Sequence, residues 1–149
     1  MRVTRLGGAA IADTLGIQVS RATAALPQTA AAAIFTVTGR NLLVGIIGEV
    51  TTVIQTQTNN TKLTLNGVVN VDICAVLDIT ADGVGTIYGI TGTFATALIG
   101  AGSAAVFPAT RVVLEPGTID LDCAASNTGS VKWDIWYIPL EASATIVAA

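Results

Sequence analysis

The stretch from Leu42 to Ile90 decides the fold, and it reads LLVGIIGEVTTVIQTQTNNTKLTLNGVVNVDICAVLDITADGVGTIYGI. It is dense in Val, Ile and Thr, whose branched side chains favour pleated strands. Turn signals such as Asn66-Gly67 and Asp82-Gly83 interrupt it, and these pairs readily adopt the positive φ that a tight hairpin needs. The stretch therefore predicts three or four antiparallel strands.

The turn signals also predict which segments of this stretch pair with each other. Two hairpins are expected: Ile54–Thr58 with Thr61–Leu65 across Asn59-Asn60, and Val71–Asp78 with Thr86–Ile90. Leu42–Val53 is long for one strand, and Gly45 and Gly48 are expected to mark a bulge or bend within it.

The same signals continue on both sides of this stretch. The further strands predicted are Ile34–Val37, Arg111–Leu114, Thr118–Ala124, Val131–Pro139 and Thr145–Val147. The turns expected between strands are Gly39–Asn41, Glu115–Gly117 and Asn127–Gly129, whereas Gly92–Pro108 is expected to be an irregular connection. Many short strands without a convincing long helix predict an all-β fold, an antiparallel β-sandwich with the jelly roll as its leading form.

The strand VKWDIWYIP, Val131–Pro139, alternates most clearly. Trp133, Ile135 and Tyr137 share one face, which is predicted to be core, and Trp136 lies on the other. Trp136 is therefore expected at a subunit contact or under an arm of the chain.

Residues 1–32 have no sustained period and are predicted to form an irregular, extended N-terminal arm with one or two short strands, followed by a sandwich domain over residues 33–149. Arg2, Arg5 and Arg21 place three of the seven positive charges in this arm. The arm is expected to lie on a neighbouring subunit, with a frayed terminus as the alternative. Its apolar part is short and contains Asp13, so it is expected to remain unprocessed.

The charge content is unusually low for a domain of this size. Charged residues make up 11% of the chain, against roughly 25% in an ordinary soluble domain, and the mean hydropathy is +0.69. A broad, weakly charged surface indicates a partner interface, so we expect an obligate homo-oligomer. The net charge of −3 and the absence of a long apolar run lead us to expect neither a nucleic-acid partner nor a membrane.

The residues that commonly carry chemistry are sparse. The chain has no His, so we expect no enzyme, no cofactor and no metal site. Asp120 and Asp122 share one face of a strand, where alternating acids are typical of an exposed sheet surface. Asp78 to Asp82 resembles half of a calcium loop but lacks the closing Glu, because Gly89 stands at the twelfth position.

Cys74 and Cys123 both lie in strand-like runs. They are interpreted as two small buried apolar side chains. A disulfide between neighbouring strands is the alternative, since the sequence does not supply its geometry.

Three phrases, GEVTTVIQTQTNNTKL, VDICAVLDITADGVGTIYGITG and KWDIWYIPLEASATIVAA, resemble small virion proteins of tailed bacteriophages, in particular capsid decoration or cement proteins. The resemblance covers the chain from about Ile34 to the end. It implies a β-sandwich or jelly-roll body that forms dimers or trimers on the outer head surface and bridges neighbouring capsomers, sometimes through a terminal arm.

The resemblance and the composition together predict a virion protein that binds a major capsid protein and itself, as a homotrimer or alternatively a dimer. The residues expected to carry binding are Arg2, Arg5, Arg21 and Trp136. The alternatives are a tail, neck or head-fibre component and a lectin-like glycan-binding sandwich.

Overall fold

The computed structural model describes residues 15–149, which form two antiparallel sheets around one hydrophobic core. The strands, in chain order, are β1 (Ile17–Ala25), β2 (Ala31–Thr38), β3 (Asn41–Thr52), β4 (Asn60–Gly67), β5 (Val71–Asp72), β6 (Leu77–Asp78), β7 (Thr86–Gly89), β8 (Ile99–Gly102), β9 (Val112–Leu114), β10 (Gly117–Cys123), β11 (Ser130–Pro139) and β12 (Thr145–Ala148). The predicted all-β class and its two-sheet, sandwich-like arrangement are confirmed.

Each sheet contains six strands. Sheet I has the order β1-β11-β3-β7-β8, with β9 pairing to the first residues of β3. Sheet II has the order β12-β2-β10-β4-β5, with β6 also pairing to β4. Consecutive strands of the chain therefore mostly lie in different sheets, and strands that are distant in the sequence become neighbours.

Strand β11 supplies the centre of the core, as its alternation predicts. Trp133, Ile135 and Tyr137 are all buried, whereas Lys132 and Trp136 on the opposite face are only partly buried. Tyr88 of β7 stacks on Trp133 with ring centroids 6.3 Å apart. The predicted core face of this strand is confirmed.

The three turns predicted from Gly, Pro and Asn signals are confirmed, and each carries the chain from one sheet to the other. Gly39 and Arg40 connect β2 of sheet II to β3 of sheet I. Glu115 and Pro116 connect β9 to β10, and the segment 124–129 connects β10 to β11.

The predicted hairpin around Asn59-Asn60 is wrong. Residues 53–59 form no strand, and β4 pairs with β10 from Thr61 to Gly67. Asn59 is fully buried, and its side-chain oxygen accepts a hydrogen bond from the Ala125 N–H at 3.1 Å. This asparagine links two distant segments, so it does not act as a turn residue.

The predicted hairpin of Val71–Asp78 with Thr86–Ile90 is also wrong. The first segment contains only the short strands β5 and β6, both paired with β4, whereas β7 pairs with β3 and β8. Between β5 and β6, Ala75 exchanges two backbone hydrogen bonds of 2.9 Å with Thr96 and Leu98. These bonds join the segment between β5 and β6 of sheet II to the residues that precede β8 of sheet I. The chain therefore closes one side of the sandwich here.

The predicted N-terminal arm differs from the structure over residues 15–32. Strand β1 pairs with β11 at the edge of sheet I, and β2 begins at Ala31, before the predicted domain boundary at residue 33. Most of β1 is exposed, because an edge strand contributes few side chains to the core. Its Ala, Ser, Thr and Arg side chains therefore carry no apolar period. Residues 1–14 of the predicted arm lie outside the described residues.

Strand β3 is continuous over twelve residues and has two irregularities in its register with β11. One falls at Val44, next to Gly45, as predicted, and the other at Thr51. Gly48 lies directly across from Trp133, and a Cβ built on it would come within 2.7 Å of two ring atoms. Gly48 therefore provides the space in which the Trp133 ring packs.

We expect Gly48→Ala to lower the free energy of unfolding by about 1–3 kcal/mol, because the added methyl overlaps the buried Trp133 ring. Urea unfolding followed by circular dichroism measures this change. Gly102→Ala is the matched control, since no atom lies within 4 Å of its added Cβ. Equal effects of the two substitutions would contradict this packing argument.

Candidate interaction surfaces

The structure does not bring the predicted binding residues together. Arg2 and Arg5 lie outside the described residues. Arg21 pairs with buried Trp133 and so lies on the core-facing side of β1, whereas Trp136 pairs with Gln18 on the outer face of sheet I. The two described candidates therefore occupy opposite faces of the same sheet.

Arg21 makes a contact within the chain. Its Nε atom donates a hydrogen bond to the backbone oxygen of Ala149 at 3.2 Å. Strand β1 is the edge of sheet I, and Ala149 directly follows β12, the edge of sheet II. Arg21 thus joins two sheet edges on the side of the sandwich opposite to Ala75.

Trp136 forms an aromatic patch with Phe107. Their ring centroids are 4.9 Å apart with an interplanar angle of 53°, a tilted arrangement that aromatic pairs favour. The Phe107 ring lies over Gly45, where a Cβ would approach a ring atom within 2.7 Å. The irregular segment before β9 therefore covers part of the outer face of sheet I, and Phe107 remains 40% exposed.

Polar pairs occupy the rest of this outer face. Lys132 Nζ lies 2.8 Å from Glu49 Oε2, and this partner raises the pKa of Lys132. Asp134 accepts hydrogen bonds from the side chains of Gln18 and Ser20 on β1. Exposed pairs of this kind contribute little to stability, so the aromatic patch is the more distinctive feature of this face.

The expectation that Asp120 is exposed is wrong. Asp122 is only partly buried, but Asp120 is 6% exposed because it lies on β10, which has a strand on each side. Asn66 Nδ2 donates to Asp120 Oδ2 at 3.3 Å, and Asp120 Oδ1 has no hydrogen-bond partner among residues 15–149. Lys62 binds Asp72 at 2.7 Å and lies 3.9 Å from Asp122.

The other singled-out residues have structural contacts. Cys74 and Cys123 are buried free thiols, so the predicted buried thiols are confirmed and the disulfide alternative is not. Burial raises the pKa of both thiols, which keeps them neutral near pH 7.

Asp78 Oδ1 accepts hydrogen bonds from the Thr80 hydroxyl and the Asn59 N–H, and these lower the pKa of Asp78. Among residues 15–149, no group of three potential ligands is placed to hold a metal ion.

An apolar groove of about 510 Å³ opens where β9 of sheet I faces β4 and β5 of sheet II. Leu65, Ile73 and Leu114 line it and are buried, so the groove reaches the hydrophobic core. Phe94 also lines it and is 48% exposed. The complete lining is Leu65, Gly67, Val68, Val69, Val71, Ile73, Phe94, Val112, Val113, Leu114, Glu115 and Pro116.

Two consecutive valines of the groove lining lie in the turn between β4 and β5. Val68 is fully exposed and Val69 is 75% exposed. Turn positions ordinarily carry Gly, Pro, Asn, Asp or Ser, so two exposed branched apolar side chains are unusual there. We call Val68 and Val69 the valine tip. Sequence reasoning overlooked it, although a Val-Val pair between Asn66-Gly67 and Asn70 was a visible signal.

Comparisons with protein-family models, with curated proteins and with solved structures yield no match to this chain. Within residues 15–149, no helix has the length and apolar character to cross a membrane.

The aromatic patch leads to a fluorescence prediction. Trp133 is buried and Trp136 is shielded by Phe107, so we expect Phe107→Ala to shift the tryptophan emission to longer wavelength and to increase quenching by iodide. Phe94→Ala is the matched control, because Phe94 is similarly exposed but stacks on neither Trp. Identical spectra for the two variants would contradict the described packing.

Proposed function

We propose that this chain is a virion structural protein, a capsid decoration protein that binds the major capsid protein on the outer surface of a tailed-bacteriophage head. The observation that carries the proposal is the valine tip, where Val68 is fully exposed beside an apolar groove. Exposed apolar surface of this kind is typical of a site that contacts another protein. The resemblance to cement proteins supplies the identity of that partner.

The low charge supports the same proposal. With charged residues at 11%, much of the surface consists of Thr, Ala, Gly and Val. Like charges would therefore oppose close packing of many copies only weakly. Such a surface favours a dense arrangement of identical subunits.

We also propose that the two-sheet body is a jelly roll, and the strand order supports this. Strands β1 to β4 alternate between sheets I and II. The chain later returns, so that β11 lies between β1 and β3, and β10 lies between β2 and β4. This interleaving is what two nested Greek keys produce.

The proposed role requires binding and no covalent chemistry. A protein that binds the assembled shell, but not its separated subunits, stabilises the shell by mass action. Many copies that each bridge neighbouring capsomers add avidity, so a modest contact per copy is sufficient.

We expect the purified protein to be a homotrimer in solution, because assembly buries apolar surface that a lone subunit exposes. Light scattering on a sizing column should give about three times the chain mass of 15.1 kDa across a dilution series. A dimer would change the symmetry of the proposed assembly. A monomer at every concentration would contradict the inference from low charge to a buried interface.

The shell-binding role is tested with heads that lack this protein. Adding the wild-type chain should saturate their surface and raise the temperature at which they release DNA. The double substitution Val68→Asp, Val69→Asp should weaken binding at least about tenfold, because two charges then enter an apolar contact. Melting of the free protein should hardly change, since both residues are exposed.

Val84→Asp is the matched control, since Val84 is also an exposed turn valine, 64% accessible. An equal loss of binding in this control would overturn the role of the valine tip. Binding of the wild type to tails instead of heads would overturn the decoration role and favour a tail or neck component.

A further inference from the structure

We propose that strand β9 pairs antiparallel with β9 of a second copy of this chain, about a two-fold axis at Val113. The proposal concerns a contact between copies and does not depend on the decoration role. It is compatible with the expected homotrimer, because a two-fold contact joins copies that belong to different trimers.

Strand β9 has one edge that no other strand covers. In the described part of the chain, β9 pairs with β3 alone, and residues 111–115 make no backbone hydrogen bond outside this pairing. The other edge borders the apolar groove, since Val112, Val113 and Leu114 all line it. An uncovered edge presents N–H and C=O groups that a further strand can bind.

The sequence of this open edge is complementary to itself in the antiparallel direction. Residues 111–115 read Arg-Val-Val-Leu-Glu. An antiparallel pair centred on Val113 places Arg111 of each copy beside Glu115 of the other, so that two pairs of opposite charge flank a pair of valines. Opposite charges and branched apolar side chains are favourable cross-strand partners. In this register, no like charges lie opposite each other.

The two faces of β9 suit the same pairing. Val112 and Leu114 are buried, whereas Val113 is 50% exposed. Because side chains alternate along a strand, Arg111 and Glu115 share the face of Val113. On the inner face, Val112 of one copy then lies opposite Leu114 of the other. The apolar lining of the groove therefore continues from one copy to the next.

The neighbouring charges leave both ends of the edge available. Arg40 Nε lies 2.7 Å from Glu115 Oε1, so Glu115 Oε2 is left to accept from Arg111 of the second copy. Within the described range, Arg111 forms no salt bridge. Glu141 Oε2 accepts from the Arg40 N–H. These two arginines and two glutamates sum to zero charge, so net charge does not oppose the contact.

The open edge is short, which sets its register and its strength. At one end Gly92 lies so close to Thr110 that an added Cβ would overlap the Thr110 oxygen, and at the other end Pro116 has no N–H. Only a pair centred on Val113 uses all five residues between these limits. Two five-residue strands bury less than the total of about 1,000 Å² that a stable interface needs. The contact should therefore form where copies are crowded and dissociate on dilution.

Disulfide trapping of the full chain at high protein concentration tests the axis. Val113→Cys brings two thiols together across it, since paired Cα atoms lie about 4.5–5.5 Å apart, within disulfide reach. Under copper-catalysed air oxidation, we expect an interchain disulfide about tenfold faster than in Val53→Cys, because Val53 is similarly exposed at 55% but lies outside β9. Native Cys74 and Cys123 are protected by burial. Equal rates would overturn the proposal.

Charge reversal tests the register. Arg111→Glu or Glu115→Arg, each combined with Val113→Cys, makes both flanking pairs like-charged and should slow the disulfide about tenfold. A mixture of these two variants restores opposite charges, so the mixed disulfide should form at nearly the rate of Val113→Cys alone. A mixed disulfide no faster than either variant's own would overturn the proposal. Each rate is normalised to the reaction of the same thiol with a small disulfide reagent.

Discussion

The rest of the structure depends on the packing of Trp133 against Gly48. These residues face each other across the central pair of sheet I, and the absence of a side chain on Gly48 lets the ring lie flat over the strand. Tyr88 then stacks on the other part of the ring, which brings β7 into the sheet. Because β11 also pairs with β1, this one contact lies at the centre of four neighbouring strands of sheet I.

The sequence predicted those elements whose pattern is local. In β11 every second side chain is apolar, so both its existence and its buried face were recognisable. The wrong predictions arose where a sequence pattern typical of a local turn belongs to residues that contact a segment distant in the chain. Asn59-Asn60 resembles a turn, but Asn59 is buried and binds Ala125, which lies 66 residues away. Strand β1 lies within the predicted arm, which was expected to contain one or two short strands, but its pairing with β11 was not predictable because this edge strand has no sustained apolar alternation.

The candidate surfaces were only partly predictable for a similar reason. Trp136 was recognised as facing away from the core, but its neighbour Phe107 comes from an irregular segment that no periodicity describes. The groove could not be predicted from the sequence, because one wall is β9 of sheet I and the other is β4 and β5 of sheet II. The strand topology determines which sheet edges of a sandwich face each other. The composition of a single chain does not specify that topology.

The repeated crossing of the chain between sheets has a kinetic consequence. Gln18 and Asp134 hydrogen-bond although 116 residues separate them, and β2 and β10 are similarly remote. Such high contact order makes folding slow, since long loops must close before their contacts contribute. Unfolding must break the same interleaved ladders cooperatively. A chain of this topology is thus expected to persist by slow unfolding as well as by equilibrium stability.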